Sequence, residues 1–238
     1  MTFDILSAIE ATASAAAVVL VLSFVLARGD RHRVRVAAIL LAWFAAVVVL
    51  GATRILDAEQ GLGVPGLGAA IVLPVAVLLG ALFVADSVRN ALFAAPLPLL
   101  IGLHSVRVFG VSFVLLYLAN RLPAPFAPVA GWGDILVGLT AAPLAWLAWR
   151  RGEQARPLVL AWNSLGLLDL VAAVGLGATS SPGPLRLFLA APDSTLMTTL
   201  PWIIIPCFLV PCLMFIHAAI FYRLGTPEGR RQIAVQHR

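Results

Sequence analysis

An arginine and a histidine lie three residues apart inside an apolar stretch, as Arg107 and His104 in the run LIGLHSVRVFGVSFVLLYL at 100–118. An arginine at the centre of a membrane helix costs roughly 2.5–3.5 kcal/mol on insertion scales, so it is expected to face the protein interior and to be paired. A guanidinium donates hydrogen bonds to carboxylates, and an imidazole donates or accepts them. Together these groups can hold or relay a proton, or bind a small charged group.

Two aspartates in later apolar stretches, Asp134 and Asp169, are the expected partners of Arg107. A rise of ~1.5 Å per residue places Asp169 ~18 Å from the inner end of its helix, near the depth of Arg107, and Asp134 ~9 Å from the outer end of its own. One arginine that bridges both carboxylates leaves an excess of negative charge. We predict a substrate or proton site here. The alternative is a fixed ion-pair cluster that only sets the register of the helices.

Helical spacing is expected to bring further polar and small residues to this site. Residues three, four and seven apart share one face of a helix, and small residues allow two helices to approach closely. Asn163, next to Trp162, is a further polar candidate near the inner face. The predicted stripes are His104, Arg107 and Val111 on span four, Asp134, Gly138 and Ala141 on span five, and Trp162, Gly166 and Asp169 on span six.

His104 and His217 indicate a second chemistry, because histidines are axial ligands of haem b. Counting from the inner ends of the predicted helices places His104 ~18 Å deep and His217 ~8–9 Å deep, which is poor geometry for two ligands of one iron. No cofactor is therefore predicted, and haem held by one or both histidines is the alternative. The motifs H-E-x-x-H, H-x-x-x-H and G-x-S-x-G are absent from the sequence, which disfavours hydrolase chemistry and leaves enzymatic activity open.

The elements that must position these residues are apolar stretches long enough to cross a bilayer. The 238 residues are 61% hydrophobic and 11% charged, whereas about a quarter of a soluble protein is charged. We predict an all-α polytopic membrane protein with seven spans in one domain, residues 1–223, followed by a short basic tail at 224–238. The predicted spans are 5–27, 34–53, 68–87, 92–118, 128–149, 157–178 and 200–222.

The arginines predict the orientation of these spans. The chain has no lysine, and its sixteen basic residues are all arginine. One side of the predicted spans carries Arg28, Arg31, Arg33, Arg35, Arg89, Arg150, Arg151, Arg156, Arg223, Arg230, Arg231 and Arg238, and the other carries Arg54, Arg121 and Arg186. By the positive-inside rule the N-terminus is outside and the C-terminus cytoplasmic. We predict a multi-pass protein of the bacterial inner (cytoplasmic) membrane.

The same distribution limits the partners. The arginines lie in short loops between apolar stretches, so they predict topology rather than nucleic-acid binding. Without a lysine amine, no Schiff base with retinal or pyridoxal can form. The expected partners are the lipid bilayer and a small-molecule or ion substrate, and a homo-oligomer is left open.

An internal repeat is a further prediction. The segment IVLPVAVLLGALF at 71–83 aligns without gaps to IIIPCFLVPCLMF at 203–215, which pairs Pro74 with Pro206. Spans one to three would then repeat as spans five to seven in the same direction, with span four as a linker, a 3+1+3 arrangement. Pro206 and Pro211 are expected to kink span seven. Trp202 is expected at the membrane interface.

These features predict an integral membrane protein that binds and transports a small molecule or ion through a polar site at the bilayer midplane. In this hypothesis Asp134 and Asp169 exchange a proton or cation, Arg107 tunes them or binds an anionic group, and His104 relays. The first alternative is a haem-binding membrane redox protein using His104 or His217. The second is a non-enzymatic receptor or assembly module, in which the polar cluster only specifies the fold.

Overall fold

The computed structural model describes residues 2–27, 29–58 and 61–227, and these residues form helices and no strand. A 3-10 helix, His104–Gly110, joins two of the α-helices, and a π-helix, Ile205–Leu209, precedes the last one. The α-helices are α1 (Thr2–Leu26), α2 (Asp30–Thr53), α3 (Gly63–Val84), α4 (Asp86–Ala94), α5 (Leu97–Leu103), α6 (Val111–Leu118), α7 (Phe126–Arg151), α8 (Arg156–Thr179) and α9 (Val210–Gly225).

The prediction of an all-helical fold is confirmed over the described residues, and six segments are long and apolar enough to cross a membrane by length and composition, as a multi-pass membrane protein requires. They are Asp4–Leu26, Asp30–Thr53, Gly63–Val84, Leu97–Leu118, Phe126–Thr179 and Ile205–Gly225. The Phe126–Thr179 segment is 54 residues long and contains α7 and α8, which pack against each other on either side of the turn Gly152–Ala155. The count of seven spans, the orientation and the repeat stay predictions. Arg28 and residues 228–238 of the predicted tail lie outside the described residues.

The helices divide into a central one and peripheral ones. α9 packs against α3, α4, α5 and α8, and most of its membrane-spanning stretch is buried. α2 and α3 instead leave large aliphatic side chains exposed along their length, among them Ile39, Val72 and Val77. Exposed aliphatic side chains in such numbers are unfavourable in water and suit contact with lipid chains. The polar groups near α9 are therefore enclosed by protein, whereas aliphatic side chains of α2 and α3 face outward.

The predicted continuous helix at 92–118 is wrong, because the chain breaks at Ala95 and Pro96. Both residues are extended, with ψ angles of 143° and 126°, since a proline disfavours helical geometry in the residue before it. α4 is a separate helix of nine residues, and the span begins again at Leu97. The span then changes from α to 3-10 geometry over His104–Gly110. A 3-10 helix of seven residues is longer than usual and often marks a functional segment.

The last span departs from α geometry where its prolines lie. Pro206 and Pro211 are five residues apart and carry no backbone N–H, so the regular α-helical hydrogen bonds are interrupted. The π-helix Ile205–Leu209 occupies this interval, and α9 starts just before Pro211. Pro74, the proline paired with Pro206 in the predicted repeat, lies inside the uninterrupted helix α3. π-helical turns inside membrane helices are frequent at functional sites.

Arg223 joins the end of α9 to the break between α4 and α5. Its side chain is fully buried and donates hydrogen bonds from Nη1 to the backbone oxygens of Leu92, at 3.3 Å, and Ala95. These carbonyls lie at the C-terminal end of α4, where no helical N–H reaches them. Arg156 makes a similar contact at the start of α8, from Nε to the backbone oxygen of Leu224 at 3.2 Å. Arg223 and Arg156 thus connect the ends of α4, α8 and α9 through hydrogen bonds.

Replacing Arg223 with methionine is expected to lower the stability of the fold by about 2–3 kcal/mol, because charge-assisted bonds to two buried carbonyls are lost. Methionine retains most of the apolar stem, so packing changes little. Thermal unfolding in detergent, followed by tryptophan fluorescence, measures the effect. The control is Arg151→Met, at an exposed position in the last turn of α7. Equal melting temperatures for the two variants would contradict the assignment.

Candidate functional site

The 3-10 helix gives span four a polar face with a repeat of three residues. His104, Arg107 and Gly110 are buried, and the residues between them are only partly buried or exposed. In 3-10 geometry residues three apart lie directly in line. The predicted stripe had continued to Val111 by α-helical spacing, but Val111 is 39% exposed. Gly110 takes its place on the polar face, and a side chain there would collide with Asp134.

Arg107 is the centre of the site and is 3% exposed. Its Nε donates to Oδ1 of Asp134 at 2.6 Å, and its Nη2 donates to Oδ2 of Asp169. Its Nη1 donates to the backbone oxygen of Gly166 at 3.0 Å and contacts Nε2 of His217 at 3.1 Å. The expected bridge between one arginine and two carboxylates is present, and it joins the 3-10 helix to α7 and α8.

The bonds around His217 determine which ring nitrogen carries the proton. A guanidinium can only donate, so Nε2 of His217 must accept from Arg107. Nδ1 then carries the hydrogen and donates to Oδ1 of Asn163 at 2.7 Å. The Nδ2 of Asn163 donates to the backbone oxygen of His217 at 2.9 Å. Arg107, His217 and Asn163 therefore form a continuous hydrogen-bonded series from the 3-10 helix through α9 to α8.

The rings of His104 and His217 lie 4.0 Å apart, centroid to centroid, and both residues are fully buried. The predicted separation of the two histidines in depth was wrong, because span four does not start at residue 92. Counted from Leu97, where α5 begins, His104 is ~10 Å deep, and His217 lies ~12 Å from Gly225 at the end of α9. The broken helix therefore brings the two rings to one level.

His104 has no hydrogen-bond partner on either ring nitrogen. Its ring packs edge to face on Trp162, with centroids 5.4 Å apart, and Trp162 also contacts the His217 ring. The Nε1 of Trp162 donates to Oγ1 of Thr140 at 2.9 Å, which holds the indole in place. A fully buried imidazole without a partner is costly and marks a place where a proton or ligand can be accepted.

Glycines on α7 and α8 allow the helices to close around Arg107. A methyl group added at Gly166 would lie 2.6 Å from Cε1 of His217, and one at Gly133 would collide with the carboxylate of Asp169. A methyl group at Gly138 would lie 2.8 Å from the backbone carbon of Arg107. The predicted stripe of small residues on span five, which includes Gly138, thus gives the close approach expected of it.

A cavity of about 50 Å³ lies beside the cluster, between α1 and the 3-10 helix. It reaches Arg107 and Asp134 and is also lined by Ser7 and Glu10 of α1. Sequence reasoning missed this contribution of α1. The signal was the pair of residues itself, since Ser7 and Glu10 are one helical turn apart in a predicted span. Trp202 also lines the cavity and is 2% exposed, so it is enclosed by protein, and its depth at the membrane interface stays a prediction.

The two histidines are not placed as a pair of axial haem ligands, and haem held by His104 alone stays the untested alternative. Both ring nitrogens of His217 are engaged, by Asn163 and Arg107, so none is left to bind iron. The two rings are tilted by 31° with centroids only 4.0 Å apart, which leaves no space for a porphyrin between them. Among the residues described, no group of three or more histidine, cysteine, aspartate or glutamate side chains is placed to hold a metal ion. Cys207 and Cys212 are free and buried.

The fold and this site define an integral membrane protein with a buried ionic cluster enclosed by its helices. Residues 64–225 match the family described as domain of unknown function (DUF8737), and the chain belongs to that family. The matched region contains every sequence-predicted site residue, and α1 lies before it. No curated protein and no solved structure matches the chain.

Proposed function

We propose that this protein moves a proton or a small cation across the membrane through the cluster of Arg107, Asp134, Asp169 and His217. The observation that carries the proposal is the bridge of one buried arginine to two carboxylates, beside a buried imidazole that has no partner. Ionisable groups at this depth are expensive and commonly mark ion pathways. Arg107 lies on the 3-10 helix, and Ile205 and Leu209 of the π-helix line the cavity beside the cluster; such segments are frequent at functional sites and hinges.

We infer seven crossings rather than six. At ~1.5 Å per residue, a straight helix of 54 residues would be ~80 Å long, far more than the ~30 Å of a bilayer core. α7 and α8 pack side by side, which supports a hairpin that crosses twice. The arginine distribution supports an external N-terminus, since Arg31, Arg150 and Arg156 then share the cytoplasmic side. The helices α1, α2 and α3 are 25, 24 and 22 residues long. The helices α7 and α8 are 26 and 24 residues long, and the π-helix with α9 is 21 residues long, so the similar lengths support the repeat.

The bonding of Arg107 favours a positively charged substrate. Four of its five N–H groups already have partners, so it has little capacity left to hold an anion. The two carboxylates outnumber it, and excess negative charge in a low-dielectric site attracts cations. In this mechanism a cation or proton arriving at Asp134 or Asp169 competes with Arg107 for the carboxylate. Loss of one of these bonds then allows Arg107 to move. His217 moves with it, because its Nε2 is bonded to the guanidinium of Arg107.

His104 has a supporting role in this mechanism. Its unpartnered nitrogens lie next to the His217 ring, which is bonded to Arg107. A proton that leaves the carboxylates can reach His104 only after local rearrangement, because no donor now contacts either ring nitrogen. The cavity of about 50 Å³ holds a few water molecules and is too small for a drug-sized molecule. An ion therefore fits the site better than an organic substrate.

Asp169→Asn is expected to reduce proton flux at least tenfold, toward the rate of protein-free vesicles, because an amide cannot take up the transported charge. The measurement uses purified protein in liposomes with a trapped pH-sensitive dye and a potassium gradient with valinomycin. The control is Asp30→Asn, whose carboxylate is almost fully exposed at the start of α2. Wild-type fluxes of both protons and radioactive sodium equal to those of protein-free vesicles would contradict the proposal and favour the assembly module, in which the cluster only stabilises the fold.

A further inference from the structure

The first helix carries a polar stripe that the Arg107 cluster does not explain. Ser7, Glu10 and Ser14 follow each other at spacings of three and four residues, so they share one face of α1. α1 is otherwise rich in alanine, valine and leucine. The stripe faces inward, since Ser7 and Ser14 are buried and all three residues line the cavity beside Arg107. Polar residues of a membrane helix that face a cavity are commonly functional.

The oxygen atoms of this stripe are only partly used. The hydroxyl of Ser112, at the start of α6, donates to Oε2 of Glu10 at 2.7 Å. Ser112 also lines the cavity. The hydroxyl of Ser7 has no hydrogen-bond partner, although the residue is only 3% exposed. A buried hydroxyl without a partner, aimed into a cavity that also holds a carboxylate, indicates a ligand that supplies the missing contact.

We propose that this cavity binds a monovalent cation of the size of sodium, held by the carboxylate of Glu10 and the hydroxyls of Ser7, Ser14 and Ser112. The inference rests on the proposed function in one respect: the bound ion is the cation that the cluster moves. Carboxylate and hydroxyl oxygens are hard ligands, which suit hard cations rather than soft ones. Ser7, Glu10 and Ser14 lie on α1, before the region that matches the family, whereas Ser112 lies inside that region.

Charge and size both select such an ion. Glu10, Asp134 and Asp169 provide three carboxylates near the site, and Arg107, bonded to two of them, is the cation that offsets them. An anion would therefore meet negative charge on most sides. Calcium takes six to eight oxygen ligands and magnesium keeps several of its waters. A cavity of about 50 Å³ has room for an ion with one or two waters, but not for a hydrated divalent cation.

The test is equilibrium binding to the full chain in detergent, which needs no transport. Melting temperatures are compared in sodium, potassium and magnesium chloride, with N-methyl-D-glucamine chloride as reference at equal ionic strength. A ligand that binds only the folded state raises its stability by mass action, so sodium at ~100 times its dissociation constant is expected to raise the melting temperature by about 5 °C. Binding of radioactive sodium to the same sample measures stoichiometry, and one ion per chain is expected.

Two variants locate the site. Glu10→Gln is expected to abolish the sodium-dependent shift, whereas Glu153→Gln, an exposed glutamate in the turn after α7, is expected to retain it. Ser7→Ala removes an unpartnered hydroxyl, so without a ligand it is neutral or stabilising, and with one it weakens sodium binding several-fold. If Glu10→Gln does not fold, Ser7→Ala decides alone. A shift that is equal in all salts, larger in magnesium, or unchanged in the folded variants overturns the inference.

The outcome for this site is separable from that for the transport proposal. Asp169 does not line the cavity, so Asp169→Asn is expected to remove proton flux while sodium still raises the melting temperature. Sodium binding that is absent while proton flux depends on Asp169 would remove the cation site and leave the proposed function. Sodium binding without any flux of protons or sodium would leave the cation site and remove the proposed function.

Discussion

Arg107→Met is expected to destabilise the protein by about 3–5 kcal/mol, the largest effect of any single substitution in the cluster, because it leaves buried carboxylates without a counter-charge. Asp134 and Asp169 would lose their shared partner, and their side chains are only 16% and 12% exposed. The backbone oxygen of Gly166 and the Nε2 of His217 would also lose the Arg107 Nη1 that now contacts both. Methionine preserves apolar volume, so the loss is electrostatic and not a cavity effect.

The measurement is the melting temperature and the yield of monodisperse protein in detergent. The matched control is the triple variant Arg107→Met with Asp134→Asn and Asp169→Asn, which removes the charges together. Because breaking a buried ion pair costs more than replacing all of its members, the triple variant is expected to recover much of the stability. It should nevertheless carry no proton flux. A triple variant that is less stable than Arg107→Met would refute the charge explanation.

Gly138→Ala is expected to cost about 2–3 kcal/mol, because the added methyl group meets backbone atoms rather than a movable side chain. It would collide with the backbone nitrogen of Val108 and lie 2.8 Å from the carbonyl carbon of Arg107. α7 and the 3-10 helix would have to separate, and the bond from Arg107 to Asp134 spans that same interface. The substitution is therefore expected to lower both stability and proton flux, although it changes no charged or hydrogen-bonding side chain.

Gly175→Ala, on α8, is the matched control, because a methyl group there meets no atom within 4 Å. Alanine is favoured over glycine inside a helix by roughly 0.5–1 kcal/mol, so this variant is expected to be neutral or slightly more stable. Thermal unfolding of both variants in the same detergent gives the comparison. Similar melting temperatures would mean that α7 and the 3-10 helix are not packed as closely as described.

Composition and apolar segment length were sufficient to predict the helical membrane fold, and the cost of burying charge was sufficient to predict the partners of Arg107. An arginine in an apolar span must find carboxylates, and Asp134 and Asp169 were the two that spacing placed at reachable depth. Trp162 was predicted because helical periodicity put it on one face with Asp169, and Asn163 because it is a polar residue in an apolar span near the inner face. Their part in binding or transport stays a prediction.

The contact between His104 and His217 could not be predicted from the sequence. Depth was counted along an unbroken helix, and the break at Ala95 and Pro96 moved the starting point of the span. The 3-10 geometry after residue 103 also changed which residues share a face, replacing Val111 with Gly110. Both changes depend on how span four packs along α7, and that packing is not encoded in any local pattern of residues 97–118.

The sequence by itself determined that this protein is helical, that it has several apolar helices able to span a membrane, and that charge is buried within them, because hydropathy and the cost of an unpaired arginine are local properties. Only the tertiary structure decided that the two histidine rings touch, that Asn163 orients His217, and that Glu10 and Ser7 of α1 line the same cavity as Arg107. Those relations depend on helix breaks, on glycine-mediated close approach and on contacts between residues about one hundred positions apart, as between Glu10 and Ser112.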